Sequence, residues 1–242
     1  MLADKEIAPT SNAASGCTFQ SEPYTIDVEG TVFRIHDTAG LNEGDQGRVP
    51  HIKAVRDLYK LIQRLDGVSL LIYCLRGRVV ANAKANWMLF HKVICRESVP
   101  IVAVVTGLEE EKQLDDWWNR KENQKSFEQN QMKPKAVGCA VAIRGKGDRY
   151  LAEYEESRAK IRNLIKQYHA KDPWSTDRSS WYLGIYQRSS ETGLCGFAQR
   201  MELAVEVQLA FDDYFKDCNV EVKEAEKIKK AILKIEKKMG KD

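Results

Sequence analysis

The chain has no Cys-x-x-Cys pair, no clustered histidines, no long apolar run and little charge imbalance, and each absence removes a class of protein. Its six cysteines, at 17, 74, 95, 139, 195 and 218, are dispersed and fall mostly in apolar stretches. That is the pattern of buried thiols in a reducing compartment, which argues against a disulfide framework and for a cytoplasmic location. The four histidines stand apart from one another and from any cysteine pair, so no zinc-ligand spacing is present. No apolar run approaches the ~20 residues of a membrane span, and the first residues lack the basic and apolar regions of a signal peptide. The 38 Lys and Arg against 35 Asp and Glu leave a net charge of +3, spread along the chain, which gives no footprint for nucleic acid.

What is present is an α/β pattern. The 242 residues suffice for one such domain of ~150–170 residues with an extension. Tyr24–Val28 and Val32–His36 alternate as two strands around Glu29-Gly30, which predicts an antiparallel hairpin. Apolar residues from Ile52 to Leu65 recur at helical spacing, with Gly67 as a stop. Val68–Leu75 and Ile101–Val105 are continuous apolar runs of the kind buried on both faces of a parallel sheet, and Ala136–Ala142 is a third. Helical periodicity between them at Ala83–Cys95, and after them at Tyr150–Tyr168, predicts a doubly wound sheet with right-handed crossovers. A polar stretch over 109–132 carries Trp117-Trp118 and reads as a helical insertion. Beyond Pro173 the composition turns to Ser, Thr, Trp and Tyr, and two further helices are expected at Glu202–Phe215 and Val222–Met239.

Four short elements carry chemistry. Asp37-Thr38-Ala39-Gly40 ends an apolar strand, where a carboxylate and a glycine N–H project beyond the sheet edge; Asp37 would hold a magnesium-bound water and Gly40 would admit a phosphate. Asp, Thr and Gly are also ordinary turn residues. Upstream, Gly16-Cys17-Thr18 places a hydroxyl where a loop could present it to magnesium. Downstream, Thr106-Gly107-Leu108-Glu109 ends the second buried strand with a carboxylate able to accept two donors from a guanine edge. Because Glu109 opens a run with Glu110 and Glu111, the competing reading is an acidic helix start that complements the helix dipole. After the third strand, Arg144-Gly145 stands where a second base-contacting loop would be, with Arg144 as a stacking plane.

In this order and spacing, Gly-Cys-Thr, Asp-Thr-Ala-Gly-Leu-Asn and Val-Val-Thr-Gly-Leu-Glu resemble the septin-like branch of P-loop GTPases, in particular fungal G-domain proteins related to the immunity-associated and chloroplast-import GTPases. The resemblance covers about residues 1–169. It implies GTP or GDP and Mg2+ as ligands, with Thr18 as the switch I threonine and Asp37, Thr38 and Gly40 in switch II. Thr106 and Glu109 then form a relaxed base-recognition motif, joined by Arg144. It divides the chain into a G domain over 1–169, a linker or strap over 170–195 and a C-terminal helical extension over 196–242. It also implies a G-domain dimer as an expected assembly.

The pattern departs from the family in one decisive place. No Gly-x-x-x-x-Gly-Lys-Ser/Thr loop occurs, and Gly145-Lys146 is followed by Gly147, which has no metal-binding hydroxyl. The resemblance therefore implies a G domain truncated at its N-terminus, an incomplete doubly wound sheet whose central first strand is missing between the strand ending at Asp37 and the run beginning at Val68. Micromolar affinity requires about −8 kcal/mol, and the charge-assisted contacts that remain contribute about 1.5–3 kcal/mol each, so this chain is expected to bind GTP weakly or not at all. Leu41, where Ras-like enzymes have a water-orienting Gln, makes hydrolysis slow at best. The alternative is a nucleotide-free pseudo-GTPase that binds protein partners through the Trp117-Trp118 helix and the C-terminal helices. Lysines 227, 229, 230, 234, 237 and 238 surround the apolar face of the last helix and would also suit peripheral contact with an acidic membrane. A His36-Asp37 catalytic pair is disfavoured, because strand alternation points adjacent side chains to opposite faces.

Overall fold

The structure is a computed structural model that describes residues 1–3, 22–38, 61–62, 64–80, 83–95 and 97–175. The chain divides into two compact units: Met1–Ala39, Ser69–Lys84 and Val99–Asp172 form the first, and Gly40–Val68, Ala85–Ser98 and Pro173–Asp242 the second. The first unit is α/β, with a hairpin, a three-stranded parallel sheet and helices.

The hairpin is β1 (Glu22–Val28) and β2 (Thr31–Asp37), paired antiparallel from Glu22↔Asp37 to Val28↔Thr31. Glu29 and Gly30 join them at φ 49° and 81°, both left-handed, as the type I′ hairpin turn requires of its two central residues. The Gly30 N–H donates to Asp27 Oδ1 at 2.9 Å, which anchors the turn from its own strand. Alternation does the rest: Ile26 and Val28 are buried while Thr25 and Asp27 are exposed.

The parallel sheet runs in the order β3 (Leu71–Arg76), β4 (Ile101–Thr106), β5 (Val137–Cys139). In β4 every residue from Ile101 to Val105 is buried, as a strand paired on both sides and covered on both faces must be. The expectation of two-sided burial fails for β3, where Cys74 and Arg76 are exposed, because among the described residues only β4 pairs with it. The third apolar run also gives less strand than its composition suggests. Its ladder extends to the Ala140 N–H on the Val105 carbonyl, after which the Val141 N–H leaves the sheet and donates to Ser157 Oγ at 2.8 Å. The Ser157 hydroxyl in turn donates to the Glu153 carbonyl. The sequence stays apolar past Val141, but β4 has already turned away at Gly107, so no strand is left to pair with.

The helices are α1 (Ala83–Trp87), α2 (Asp116–Asn119), α3 (Lys121–Gln129) and α4 (Leu151–Tyr168), with a 3-10 turn at Lys146–Asp148. The helix expected over 83–95 is not regular: α1 passes into a π-helical segment, Met88–Ile94, closed by the Cys95 N–H on the Phe90 carbonyl. The expected insertion over 109–132 is the α2–α3 pair, and its Trp117 is buried, 6.4 Å from the Phe127 ring. Trp117 is therefore part of the core and cannot serve as a docking residue.

Ile161 and Ile165 of α4 join Ile26, Val28, Val104 and Ala140 in one core, with Phe33, Ile35, Leu70 and Ile72 packed against it. Hairpin and parallel sheet thus share a core, yet among the described residues no ladder joins β2 to β3. Arg162 strengthens the hairpin contact by donating to the carbonyls of Leu2 and Asp27, and Lys166 pairs with Glu29. In the second unit, Val68 and Trp174 exchange backbone hydrogen bonds of 2.7 and 3.0 Å. Most of the helix expected over 52–65, the strap beyond 175 and both C-terminal helices lie outside the described residues.

Two substitutions test how α4 is held. Ser157→Ala orphans the buried Val141 N–H and is expected to lower unfolding free energy by about 1–3 kcal/mol. Gly138→Ala places a methyl 2.6 Å from Ile161 Cδ1 and 3.2 Å from Leu164 Cδ1. Overpacking of that kind costs about 1–3 kcal/mol, and urea denaturation of each variant reads the loss directly.

Candidate functional site

Three parallel strands end on one edge of the first unit, and an edge of this kind is where α/β proteins form ligand crevices. The loops leaving β3, β4 and β5 begin at Gly77, Gly107 and Ala140. Gly77 and Gly107 have φ of 62° and 76°, which L side chains seldom adopt, so these residues let both strands turn sharply. A Cβ on Gly107 would lie 2.9 Å from Arg76 Cγ; the stem of Arg76 rests on the Gly107 backbone.

Thr106 spends its hydroxyl inside the fold, donating from Oγ1 to the Leu75 carbonyl at 3.1 Å. It ties the end of β4 to β3. The three carboxylates that follow have separate fates. Glu111 forms a bidentate pair with Arg120 at 2.8 and 2.5 Å, and Glu110 accepts from Tyr150 Oη at 3.1 Å. Glu109, half-buried, has no side-chain partner among the described residues. The next helix begins only at Asp116, so Glu109 is too far upstream to complement that helix's dipole.

Arg144 and Asp148 form a side-on pair, with Nε to Oδ1 at 3.1 Å and Nη2 to Oδ2 at 3.2 Å. Tyr150 organises this loop. Its N–H donates to the Arg144 carbonyl, its ring edge lies where a Cβ on Gly145 would be, and its hydroxyl reaches Glu110. Burial, then the bond to Glu110, pushes its pKa up, so the phenol stays protonated as a donor. The Arg149 guanidinium lies 5.1 Å from the centre of the same ring. Thr106, Glu109 and Arg144 are thereby brought to one edge, with the β4 and β5 loops clasped through Tyr150.

Asp37 comes from the hairpin. Cys74 on β3 retains exposed surface, yet its thiol is pushed up to about 11, chiefly by crowding and next by the negative charge of Asp37. Exposure describes access to the whole residue; crowding acts on hydration of the thiolate. The charge of Asp37, at the end of β2, is thus felt at Cys74 of β3. Neighbouring His36 has its Nδ1 buried without a partner among the described residues, and burial followed by the Arg34 charge lowers its pKa. Thr38 is exposed just beyond Asp37, while Thr18 and Gly40 lie outside the described residues.

Sequence reasoning missed Tyr150 and Arg76, and read Trp117 as part of a partner-binding helix. The indole Nε1 of Trp117 donates to the Gly77 carbonyl at 3.1 Å, a contact across forty residues that no local pattern announces. The chain matches no family model and no curated protein. Among the described residues no helix is long and apolar enough to cross a membrane.

The link from Asp37 to the sheet edge is open to titration. An anion beside a thiol disfavours a second anion, so Asp37→Asn is expected to lower the Cys74 pKa from about 11. Peptide-resolved alkylation by iodoacetamide across pH 8–12 should move its inflection to lower pH. An unmoved inflection would separate Asp37 from β3.

Proposed function

We propose that this chain is a G-domain-type guanine-nucleotide binder of the P-loop, septin-like class, acting as a switch with slow hydrolysis at best. The observation that carries the reading is Glu109: the one carboxylate of an acidic run without a hydrogen bond or ion pair among the described residues, held behind a left-handed glycine at the end of the most buried strand. A carboxylate so placed can accept two N–H donors from a guanine edge, which adenine lacks in that arrangement. Arg144 would flank the base. Asp37 would hold magnesium through water, with Thr18 as its partner hydroxyl.

The phosphate chain fits less well. Neither Gly145-Lys146-Gly147 nor any other segment of the sequence forms the loop that cradles phosphates in this class. Affinity for GTP or GDP is accordingly weak, in the high-micromolar to millimolar range, about −4 to −6 kcal/mol. The same absence favours the second reading, a nucleotide-free pseudo-GTPase that serves as an interaction module.

Titration of a fluorescent GDP analogue in excess Mg2+ distinguishes the two. The nucleotide reading expects saturable binding displaced by GTP but not by ATP, and weakened about tenfold or more by Glu109→Gln, which removes one acceptor and the charge. Equal displacement by ATP and GTP would overturn the guanine reading, and no saturation up to millimolar nucleotide would leave the interaction module as the reading that stands.

A further inference from the structure

The turn after β3 reads Arg76-Gly77-Arg78, and its backbone is held at three points. The Gly77 N–H donates to the Thr106 carbonyl at 2.8 Å, the Gly77 carbonyl accepts from Trp117 Nε1 at 3.1 Å, and the Arg78 N–H donates to the Arg76 carbonyl at 2.8 Å. The two side chains are not held in the same way. Both arginines are exposed, and among the described residues neither guanidinium has an ion pair or hydrogen bond.

This is unusual for the neighbourhood. Arg120 is paired with Glu111, Arg144 with Asp148 and Arg158 with Glu155, and Arg149 lies over the Tyr150 ring. Glu109, in the loop against which the Arg76 stem packs, is not captured by either arginine. Two guanidiniums without an ion pair among the described residues, on a rigid turn at the carboxyl edge of a parallel sheet, form an anion-facing feature. The planar fork of arginine matches the oxygens of a phosphate two at a time, and a fixed backbone reduces the ordering cost of that contact.

We propose that Arg76 and Arg78 bind the phosphate groups of the ligand taken up at this edge, supplying positive charge that no phosphate loop provides in this sequence. The proposal rests on the nucleotide reading for the identity of the base, but the phosphate contact itself can be tested without a base. Trp117 is a built-in reporter, since its indole N–H is bonded to the central residue of the turn.

The experiment follows the Trp117 indole resonance in 1H–15N spectra, assigned by its disappearance in Trp117→Phe, during titration with sodium tripolyphosphate, GTP, ATP and guanosine. The expected result is a saturable shift with tripolyphosphate and with GTP. Arg76→Gln/Arg78→Gln should weaken both by tenfold or more without changing guanosine binding. Lys121→Gln/Lys125→Gln, which removes the same charge from exposed positions of α3, should leave both unchanged. If GTP and ATP bind alike and the arginine variant still loses tripolyphosphate, the guanine reading falls and the phosphate site stands. If the arginine variant binds tripolyphosphate and GTP as the native chain does, the phosphate site falls and nucleotide binding stands. A Trp117 resonance unmoved by millimolar tripolyphosphate, or equal losses in the lysine control, also overturns the proposal.

Discussion

Strand β4 has no face in contact with water, and the arrangement of the first unit follows from that constraint. Five consecutive buried residues, Ile101 to Val105, can satisfy their backbone groups only by pairing on both sides, and they do so with β3 and β5 in parallel register. Parallel pairing sends all three chains out of the sheet on the same edge. The buried strand therefore decides where Thr106, Gly107 and Glu109 emerge, and which loops they meet.

Around that edge the charges are sorted by tertiary contacts. Glu110 and Glu111 follow Glu109 in sequence, yet one is taken by Tyr150 and the other by Arg120. Exposed pairs of this type contribute only about 0–1 kcal/mol to stability, so their consequence lies in availability more than in energy. Each leaves one fewer carboxylate to compete for the groups nearby. Among the described residues, what stays without a hydrogen bond or ion pair is Glu109 on one loop and Arg76 with Arg78 on the next, an acceptor and two cationic donors on neighbouring turns.

The hairpin contributes to the same core without joining the same sheet. Ile26 and Val28 pack with Val104, Ala140, Ile161 and Ile165, and α4 clamps the hairpin through Arg162 and Lys166. Apolar burial at about 25 cal/mol per Å2 does not require strand pairing, so two sheets can be held in one unit by side chains alone. Among the described residues, β2 and β3 each keep one side of their backbone free of a strand partner. Edges of that kind are reactive toward further strands.

Much of this was legible in the residues themselves. Period-two alternation around Glu29-Gly30 determined the hairpin and its register, because a slip by one position would expose Ile26 and Val28. The unbroken apolar run at 101–105 pointed to a doubly buried strand, whereas the similar run at 68–75 became a strand with exposed positions, a difference that pairing decided. Tertiary structure decided what distant residues did to one another. The apolar run at 136–142 ended early because Ser157, a helix away, took the Val141 N–H. Trp117 became a core residue because Phe127 and the Gly77 carbonyl surround its ring. Composition and spacing marked Glu109 as a member of an acidic run. Spacing from the strand end singled Glu109 out as the candidate base acceptor; the folded chain added that its two neighbours are engaged while, among the described residues, it has no hydrogen bond or ion pair. A local pattern records which backbone shape and which face a residue prefers; whether a side chain is occupied depends on partners that sequence distance does not encode.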